Sequence, residues 1–348
     1  MEKRVSLKDI ARKVGVSTAL VSYVLNNKKE NRISKAVAQK IREAAQALNY
    51  RPNHIAKSLK TRKTFTLGLI VADIANTFFS TLARIIEDEA EANGYTVIFA
   101  SSDEKAERSQ KLTEVLLDRQ VDGIILAPAE GTEAHIRSLQ EKGIPLVLID
   151  RFFPGLNVSY VGVDNCGAAY RCTAYLVETG CRQIGMIGFN TTLLHLQDRK
   201  KGFLQALKDR GFTVATEQIK EVSLDASKEE VETALAQLLS GPQPIDGLFF
   251  ASNKLSTFGL KYINTLPLHV PDDLAICSFD QSDATELFYA SLTHVRQPLQ
   301  EMGKQAIRLL LQGMEKEKRI EQIHLPAELI IGKSTRHEPE RMPKSTAG

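Results

Sequence analysis

The stretch VGVSTALVSYVLNN, residues 14 to 27, decides how the N-terminal region folds. Apolar residues recur at helical spacing over about residues 7 to 14, Gly15 permits a tight turn, and Ser17 can cap a second helix. A third amphipathic segment, from about residue 34 to residue 48, can close a small core over the first two helices. The pattern therefore predicts an all-α head that contains a helix-turn-helix.

The basic charge of the chain is concentrated in this same region. Residues 1 to 63 contain 16 Lys and Arg but only 4 Asp and Glu, whereas the whole chain of 348 residues has a formal net charge of +3. A basic head on an acidic body is typical of a protein that binds a polyanion. A solvated basic face without a partner is the alternative, and charge alone does not decide between the two.

A helix that enters the major groove of DNA meets base edges and phosphates with the outward residues near its N-terminal end. Thr18 and Ala19 are short enough to let the helix sit deep and to touch thymine methyl groups, while hydroxyl and amide side chains can bond phosphates. A three-helix module that docks onto a protein is the alternative, which the basic charge disfavours. In the head, the residues expected to contact DNA are Ser6, Ser17, Thr18, Ala19, Ser22, Tyr23, Asn26 and Ser34.

Two long stretches of the N-terminal region resemble one protein family. SLKDIARKVGVSTALVSYVLNN at residues 6 to 27 and ISKAVAQKIREAAQALNYRPNHIAKSLK at residues 33 to 60 are similar to the LacI/GalR family of bacterial transcriptional regulators, and the similarity extends over about residues 4 to 337. The resemblance implies a sequence-specific repressor whose affinity for operator DNA is controlled by a small molecule. The chain departs from the family at Tyr23, where many relatives have arginine, and in residues 28 to 32, a loop that is longer than in the lactose-type members.

The segment HIAKSLK, residues 54 to 60, has helical spacing but is too short to form a stable helix alone. The resemblance implies that residues 51 to 63 contain a hinge helix, which folds against its dimer mate in the minor groove and wedges Leu59 between base pairs. A flexible basic linker that folds on DNA is compatible with this interpretation. The hinge residues expected to contact DNA are Asn53, His54, Ala56 and Leu59.

From residue 64 onward, eight short apolar runs alternate with helical patterns, which is typical of parallel sheets. VDGIILAP at residues 121 to 128 resembles IDGLFFAS at residues 245 to 252, so we expect two similar α/β lobes. By resemblance they form a type I periplasmic-binding-protein fold, in which later segments cross back between the lobes. The predicted parts are the head at 1–50, the hinge helix and linker at 51–63, a core at 64–338 and a disordered tail at 339–348, with lobe one at about 64–162 plus 293–324 and lobe two at about 163–292 plus 325–338.

Polar residues follow most of the predicted strands. In open parallel sheets ligands sit outside the carboxyl ends of the strands, so a cleft between two lobes collects strand-end residues from both. An arginine and a carboxylate can hold neighbouring hydroxyls, and an aromatic ring can stack on the apolar face of a sugar. The resemblance adds Arg199, in the segment DRKKGF, as the arginine that relatives point at the effector. The predicted effector-binding residues are Asp73, Asn76, Phe78, Asp150, Arg151, Asp164, His195, Arg199, Asn253, Lys254 and Asp280.

Some of these residues also have purely structural interpretations. Asp150 and Arg151 can pair with each other at the lobe interface. Asp73 and Asp164 can cap the helices that follow them. For these four residues the structural and the functional interpretation both stay open.

Two features bear on the kind of effector. The segment TTLLHL, residues 191 to 196, places apolar residues where purine-binding relatives carry polar groups, which disfavours a purine. Lys254 follows Asn253 where relatives often have aspartate, and a cation there would suit an acidic or phosphorylated sugar, although a solvated lysine is the alternative. We therefore expect a sugar or a sugar acid.

Other classes of protein fit the sequence less well. The chain has no GxSxG, HExxH or P-loop motif and no GxGxxG after a strand, so we do not expect an enzyme. Its four cysteines show neither CxxC spacing nor nearby histidines, so we predict no disulfide, metal or cofactor. A solute-binding protein would need an export signal and no basic head, and neither a signal peptide nor a membrane span is visible.

The predicted helix-turn-helix head and the lack of a visible signal peptide also predict partners and a cellular location. We expect a cytoplasmic homodimer that binds a pseudopalindromic operator in double-stranded DNA, because a two-fold protein matches a two-fold site. We also expect a carbohydrate effector and no membrane partner. Whether the effector releases DNA, or instead acts by corepression or activation, stays open.

Overall fold

The structure is a computed structural model that describes residues 5–25, 33–50, 63–213, 215–241, 243–315 and 319–335. The chain divides into two compact units at Thr64 and Phe65, and each unit is described by itself. Asn26, most of the predicted hinge and the predicted tail lie outside the described residues. Within the described residues, every helix is too short or too polar to cross a membrane.

The described residues of the first unit contain three helices: α1 (Leu7–Val14), α2 (Thr18–Leu25) and α3 (Lys35–Ala47). The backbone amide of Ser6 donates to Asp9 Oδ2 at 2.9 Å before α1, and Gly15 ends that helix in the left-handed conformation, with φ of 75°. The three helices bury a small shared core of Ile10, Ala11, Val21, Val24, Ile41, Ala44 and Ala45. The predicted helix-turn-helix head is therefore confirmed.

The first sheet of the second unit defines lobe one. Its strands are β1 (Thr66–Val71), β2 (Thr96–Ser101), β3 (Gly123–Leu126), β4 (Leu146–Ile149), β5 (Ser159–Val163) and β11 (Gln322–Leu325), which are all parallel in the order β11-β5-β4-β3-β1-β2. Its helices are α4 (Thr77–Ala92), α5 (Ala106–Asp118), α6 (Glu133–Glu141) and α12 (Leu299–Gly313). Strands β1, β3 and β5 are buried along nearly their whole length because both faces of the sheet are covered.

The second sheet defines lobe two. Its strands are β6 (Ile184–Phe189), β7 (Ile219–Val222), β8 (Gly247–Phe250), β9 (Ala275–Phe279), β10 (Thr293–Arg296) and β12 (Glu328–Ile330), in the order β12-β10-β9-β8-β6-β7. Only β12 is antiparallel among these described strands. Its helices are α7 (Asn165–Glu178), α8 (Leu194–Asp209), α9 (Lys228–Ser240), α10 (Asn253–Ile263) and α11 (Asp283–Leu287). The two-lobed parallel α/β core is confirmed.

In the part of the chain that the structure describes, the backbone passes between the lobes at three places. It crosses after β5, between β10 and α12, and between β11 and β12. These crossings run side by side: the amide of Asp164 donates to the carbonyl of Leu325 at 3.1 Å, and Arg296 pairs with Glu328 in the antiparallel register. Three adjacent segments therefore connect lobe one to lobe two.

One predicted boundary differs from the structure. The sequence predicts that the chain returns to lobe one from about residue 293, but β10 pairs with β9 on one side and with β12 on the other. Because both neighbours belong to the second sheet, Thr293 to Arg296 lie in lobe two. The second crossing therefore begins at Gln297.

Candidate functional site

Strand ends and helix starts from both lobes surround one cavity of about 80 Å³. A neighbouring groove of about 380 Å³ shares Asp73, Asn76, Asn253 and Lys254 with it. Pockets that surround drug-sized ligands measure about 300 to 1,000 Å³, so the inner cavity is tight and its polar groups lie close together. The predicted site residues that line the inner cavity are Asp73, Asn76, Phe78, Asp150, Arg151, His195, Arg199, Asn253, Lys254 and Asp280.

Arg199 is the most fully engaged of these residues. It lies on the buried face of α8 and is only 3% exposed. Its Nε donates to Asn165 Oδ1 at 2.9 Å, and its Nη1 donates to the carbonyl of Ala251 at 2.8 Å. Its guanidinium also lies 3.6 Å above the ring of Phe279. The packing and hydrogen bonds fix the planar group at the end of the second sheet.

Asp150 and Asp280 occupy equivalent positions in the two lobes. Each directly follows a buried strand, β4 for Asp150 and β9 for Asp280, and each has a positive φ, of 66° and 71° respectively. Left-handed backbone is uncommon for residues other than glycine and is found at functional sites. In both lobes this turn places a carboxylate in the wall of the cavity.

The two carboxylates differ in their partners. Asp280 accepts from Gln297 Nε2 at 2.6 Å and lies 3.4 Å from Arg199 Nη1. Asp150 Oδ2 lies 3.6 Å from Arg151 Nε. Burial raises the pKa of Asp150 to about 6, and the neighbouring charges of Arg151 and Arg199 only partly oppose this rise. Ionisation of the buried Asp150 carboxyl group therefore costs more free energy than ionisation of an exposed aspartate.

In lobe one, Arg151 makes a two-pronged ion pair with Glu104. The Nη1–Oε2 and Nη2–Oε1 distances are 2.5 Å and 2.6 Å. Burial by itself lowers the pKa of Arg151, but the hydrogen bonds and charge of Glu104 outweigh it, so the pKa of Arg151 is raised. The guanidinium also faces the ring of Phe79 at 5.6 Å. The expected pairing of Arg151 with Asp150 is thus secondary to its pairing with Glu104.

His195 lies on the same buried face of α8 as Arg199. Burial lowers the pKa of His195 well below its usual value, and the positive charges of Arg151 and Arg199 lower it further. The imidazole is consequently neutral at physiological pH and contributes no cation to the cavity.

Direct hydrogen bonds join the two lobes beside the cavity. Asn253 Nδ2, at the start of α10, donates to Asn76 Oδ1 at 2.8 Å and to Thr77 Oγ1 at 3.3 Å. Asn76 also accepts from the backbone amide of Phe78, so the same side-chain oxygen caps α4. In a second contact, Glu130 of lobe one accepts from Thr191 Oγ1 of lobe two at 2.9 Å. The two lobes are therefore closed onto each other at the site.

Three predicted site residues have local structural roles. Asp164 is exposed, lies away from the cavity lining and caps α7 by accepting from the amide of Gly167 at 2.8 Å, so its expected place in the cleft is wrong. Asp73 lines the cavity but accepts from the amide of Ala75 at 2.9 Å in a turn. Lys254 Nζ donates to the carbonyl of Leu224 at 3.0 Å.

Sequence reasoning missed three polar residues of the cavity lining, which are Glu104, Ser252 and Gln297. Glu104 follows the second predicted strand, so the rule that found the other strand-end residues would have found it as well. Gln297 follows β10, whose segment THVR was not recognised as a strand. Its position could not be inferred without that strand.

Most of the predicted DNA-contacting residues that the structure describes in the head lie on its surface. Leu20 donates its backbone amide to Ser17 Oγ at 3.2 Å, and Val37 donates its amide to Ser34 Oγ at 3.3 Å, so both serines act as caps. Ser6, Thr18, Ala19 and Tyr23 are exposed, and Ser22 is half-buried. Asn26, Asn53, His54, Ala56 and Leu59 lie outside the described residues.

Both units match known protein families. Residues 6–53 match the family model for bacterial regulatory proteins of the lacI family, and residues 173–335 match the model for a periplasmic binding protein-like domain. The chain is 31% identical over 332 residues to the ribose operon repressor of Halalkalibacterium halodurans, an alignment that covers 95% of this chain and 97% of that protein.

Two solved structures are similar over nearly the whole chain. The complex of the transcriptional regulator CelR with cellobiose has a TM-score of 0.71 and 25% identity, and the match covers 95% of this chain and 100% of that one. The lac repressor dimer bound to operator and the anti-inducer ONPF has a TM-score of 0.84, with coverage of 96% and 100%. At 20% identity, this second likeness shows the fold alone.

Proposed function

We propose that this chain, which belongs to the lacI family of bacterial regulatory proteins and is a DNA-binding transcriptional regulator, is a repressor controlled by a carbohydrate bound between its two lobes. The observation that carries the proposal is the cavity itself. Ten of the eleven effector-binding residues predicted from the sequence line it, and they come from both lobes. A molecule bound there contacts both lobes at once and can therefore bias how they are arranged.

The composition of the cavity favours a carbohydrate. Arg199 and Asp280 provide a fixed donor and acceptor side by side, which suits neighbouring hydroxyl groups. Phe78 is buried in the same wall and can pack on the apolar face of a sugar ring. The similarity of this chain to CelR, which was solved as a complex with cellobiose, and to the ribose operon repressor supports the same class of effector.

On the DNA side, we propose that α2 enters the major groove. Its buried face holds Val21 and Val24 in the core of the head, which leaves Thr18, Ala19 and Tyr23 on the outside. The excess of basic residues in residues 1 to 63 supplies contacts to phosphates. The hinge contacts, including Leu59, rest on the family resemblance.

We further propose that the chain acts as a homodimer on a pseudopalindromic operator, and that it works in the cytoplasm. Edge strand β2 leaves Ile98 and Phe99 exposed, and Val115 of α5 is also exposed. In lobe two, Leu287 is 83% exposed and Tyr289 is 60% exposed. Apolar side chains of this size on an uncovered edge are typical of a protein–protein interface.

A thermal-shift screen of the purified protein tests the effector. We expect a saturable rise in melting temperature with one class of carbohydrate and none with purines. The same compound should change the affinity for operator DNA in a fluorescence anisotropy titration, and the direction of that change distinguishes induction from corepression. Arg199→Ala should abolish the shift, whereas Arg210→Ala, which removes an arginine outside the cavity lining, should preserve it. A shift with nucleobases and with no carbohydrate would contradict the proposal.

A further inference from the structure

The cationic side chains of the cavity are all engaged within the described residues. Arg151 is paired with Glu104, Arg199 lies beside Asp280, and Lys254 Nζ donates to a backbone carbonyl. The acidic lining residues Asp73, Glu104, Asp150 and Asp280 outnumber these three cations by one, since His195 is neutral. An anionic ligand would therefore have to displace a carboxylate that already neutralises its arginine.

Three buried oxygens in the cavity wall have no hydrogen-bond partner among the described residues. They are Asp150 Oδ1, Asn253 Oδ1 and Gln297 Oε1, and their residues are 4%, 4% and 7% exposed. The two amides are oriented by their own nitrogens: Asn253 Nδ2 donates to Asn76, and Gln297 Nε2 donates to Asp280. Their oxygens are consequently left as acceptors, and an ionised carboxylate oxygen is an acceptor as well.

Two nitrogens of the wall are also without a partner in the part of the chain that the structure describes. His195 Nδ1 is buried, and whether it donates or accepts depends on the tautomer. Arg151 Nε is a donor and lies 3.6 Å from Asp150 Oδ2. The wall thus offers at least three acceptors and one fixed donor. A complementary ligand must donate more hydrogen bonds than it accepts from these groups.

On the premise of the proposed carbohydrate effector, we propose that the effector is an uncharged, polyhydroxylated sugar whose hydroxyl groups donate to Asp150, Asn253 and Gln297. Sugar acids and sugar phosphates are excluded, because a carboxylate or phosphate presents further acceptors and negative charge to these oxygens. Leaving a buried acceptor without a donor costs about 1 to 3 kcal/mol, which corresponds to roughly 5- to 150-fold in affinity. Lys254, which suggested an acidic sugar in the sequence, is already counted among the three cations, and it donates one hydrogen bond of its ammonium group to the carbonyl of Leu224.

Isothermal titration calorimetry of the full chain with matched compounds tests this inference. The sets are D-glucose, D-glucuronate and D-glucose 6-phosphate; D-galactose, D-galacturonate and D-galactose 6-phosphate; and D-ribose with D-ribose 5-phosphate, extended to the uncharged disaccharides cellobiose and lactose. We expect the uncharged compound to bind at least about tenfold more tightly than its charged counterparts. Tighter binding of an acid or a phosphate would overturn the inference while preserving a carbohydrate effector. Binding of no carbohydrate would overturn the proposed function as well.

A variant that removes the carboxylate paired with Arg151 tests whether this ion pair excludes anionic ligands. Glu104→Gln removes the carboxylate that neutralises Arg151, so this variant should bind the anionic member of each set at least about tenfold more tightly than the original chain does. Glu107→Gln, which changes an exposed glutamate in the first turn of α5, is the matched control and should leave every affinity unchanged. Equal affinities for anions in the two variants would contradict the proposed exclusion by charge.

Discussion

Asn253 of lobe two donates a hydrogen bond to Asn76 of lobe one at 2.8 Å, so the first residue of α10 is tied to the residue that caps α4. The oxygen that satisfies the end of one helix therefore also joins the two lobes. The contact between the lobes and the cap of α4 therefore both depend on the same acceptor atom, Asn76 Oδ1.

We expect Asn253→Ala to lower the free energy of unfolding by about 1 kcal/mol, the usual contribution of one hydrogen bond, and to favour a more open arrangement of the lobes. Chemical denaturation and small-angle X-ray scattering would measure the two effects. Asn264→Ala, at the exposed end of the same helix, is the control. The same stability and the same radius of gyration in both variants would show that the bond between the lobes is unimportant.

Removal of Arg199 should be costly for the fold. Arg199→Ala leaves Asp280 buried without its cation, and breaking a buried ion pair in this way costs about 3 to 5 kcal/mol. Arg210→Ala, which removes a more exposed pair with Glu178, should cost about 0 to 1 kcal/mol. Urea denaturation of both variants provides the comparison, and a loss below about 1 kcal/mol for Arg199→Ala would argue against a structural role for this pair.

The stability of the protein should contain a pH-dependent contribution from Asp150. Its pKa rises from 3.8 to about 6 on folding, so the folded chain holds this proton more tightly than the unfolded chain does. The contribution of Asp150 to the free energy of unfolding therefore falls by roughly 3 kcal/mol as the pH rises from about 4 to about 6. Above that range the contribution stays at this lower value. Below about pH 4 the carboxyl is protonated in both states and contributes no difference.

Asp150→Asn should remove that fall. The difference in unfolding free energy between the variant and the original chain should shift in favour of the variant between pH 4 and pH 7, and urea denaturation across this range measures it. Other titrating groups cancel in the difference. Parallel stability profiles for the two proteins would mean that Asp150 ionises in the folded chain as easily as in the unfolded one.

Leu59→Ala should separate specific from nonspecific DNA binding. If Leu59 wedges between the central base pairs, its loss should weaken operator binding by more than about tenfold and leave binding to unrelated DNA nearly unchanged. Anisotropy titrations at a fixed salt concentration would measure both affinities. Equal losses on both kinds of DNA would remove the wedge role, which rests on the family resemblance.

Phe99→Glu should impair assembly. Phe99 is 60% exposed on edge strand β2, and a charge there disfavours burial against a second chain. We expect sedimentation to show monomers and operator affinity to fall. Gln237→Glu on the exposed surface of α9 adds the same charge elsewhere and should remain dimeric. A dimeric Phe99→Glu variant would place the interface on another face.

Local pattern was sufficient for much of the site. Asp73, Asp150 and Asp280 follow apolar runs long enough to be recognised as strands, and parallel strands bring their carboxyl ends to one edge. Asp164 also follows such a run but does not reach the cavity, because the chain crosses to lobe two at that point and the residue caps α7. A strand end that continues into a crossing thus looks the same in the sequence as one that faces a ligand.

Other parts depended on contacts between residues far apart in the chain. The segments THVR of β10 and IKEV of β7 are too short and too polar to predict a strand. Their conformation comes from pairing: β10 lies between β9 and β12, and β7 pairs along the edge with β6. Gln297 could not be placed for the same reason, since its position depends on where β10 ends.

The three crossings between the lobes limit the ways in which those lobes can move. A single tether would allow swivelling in any direction, whereas three backbones held side by side, with Asp164 bonded to Leu325 and Arg296 beside Glu328, resist both twisting and sliding. Bending about an axis that runs across all three is the motion that changes the fewest backbone dihedrals. The three crossings therefore act as a single hinge between the two lobes. Opening the cavity at one side must move the outer parts of both lobes in a single coordinated swing.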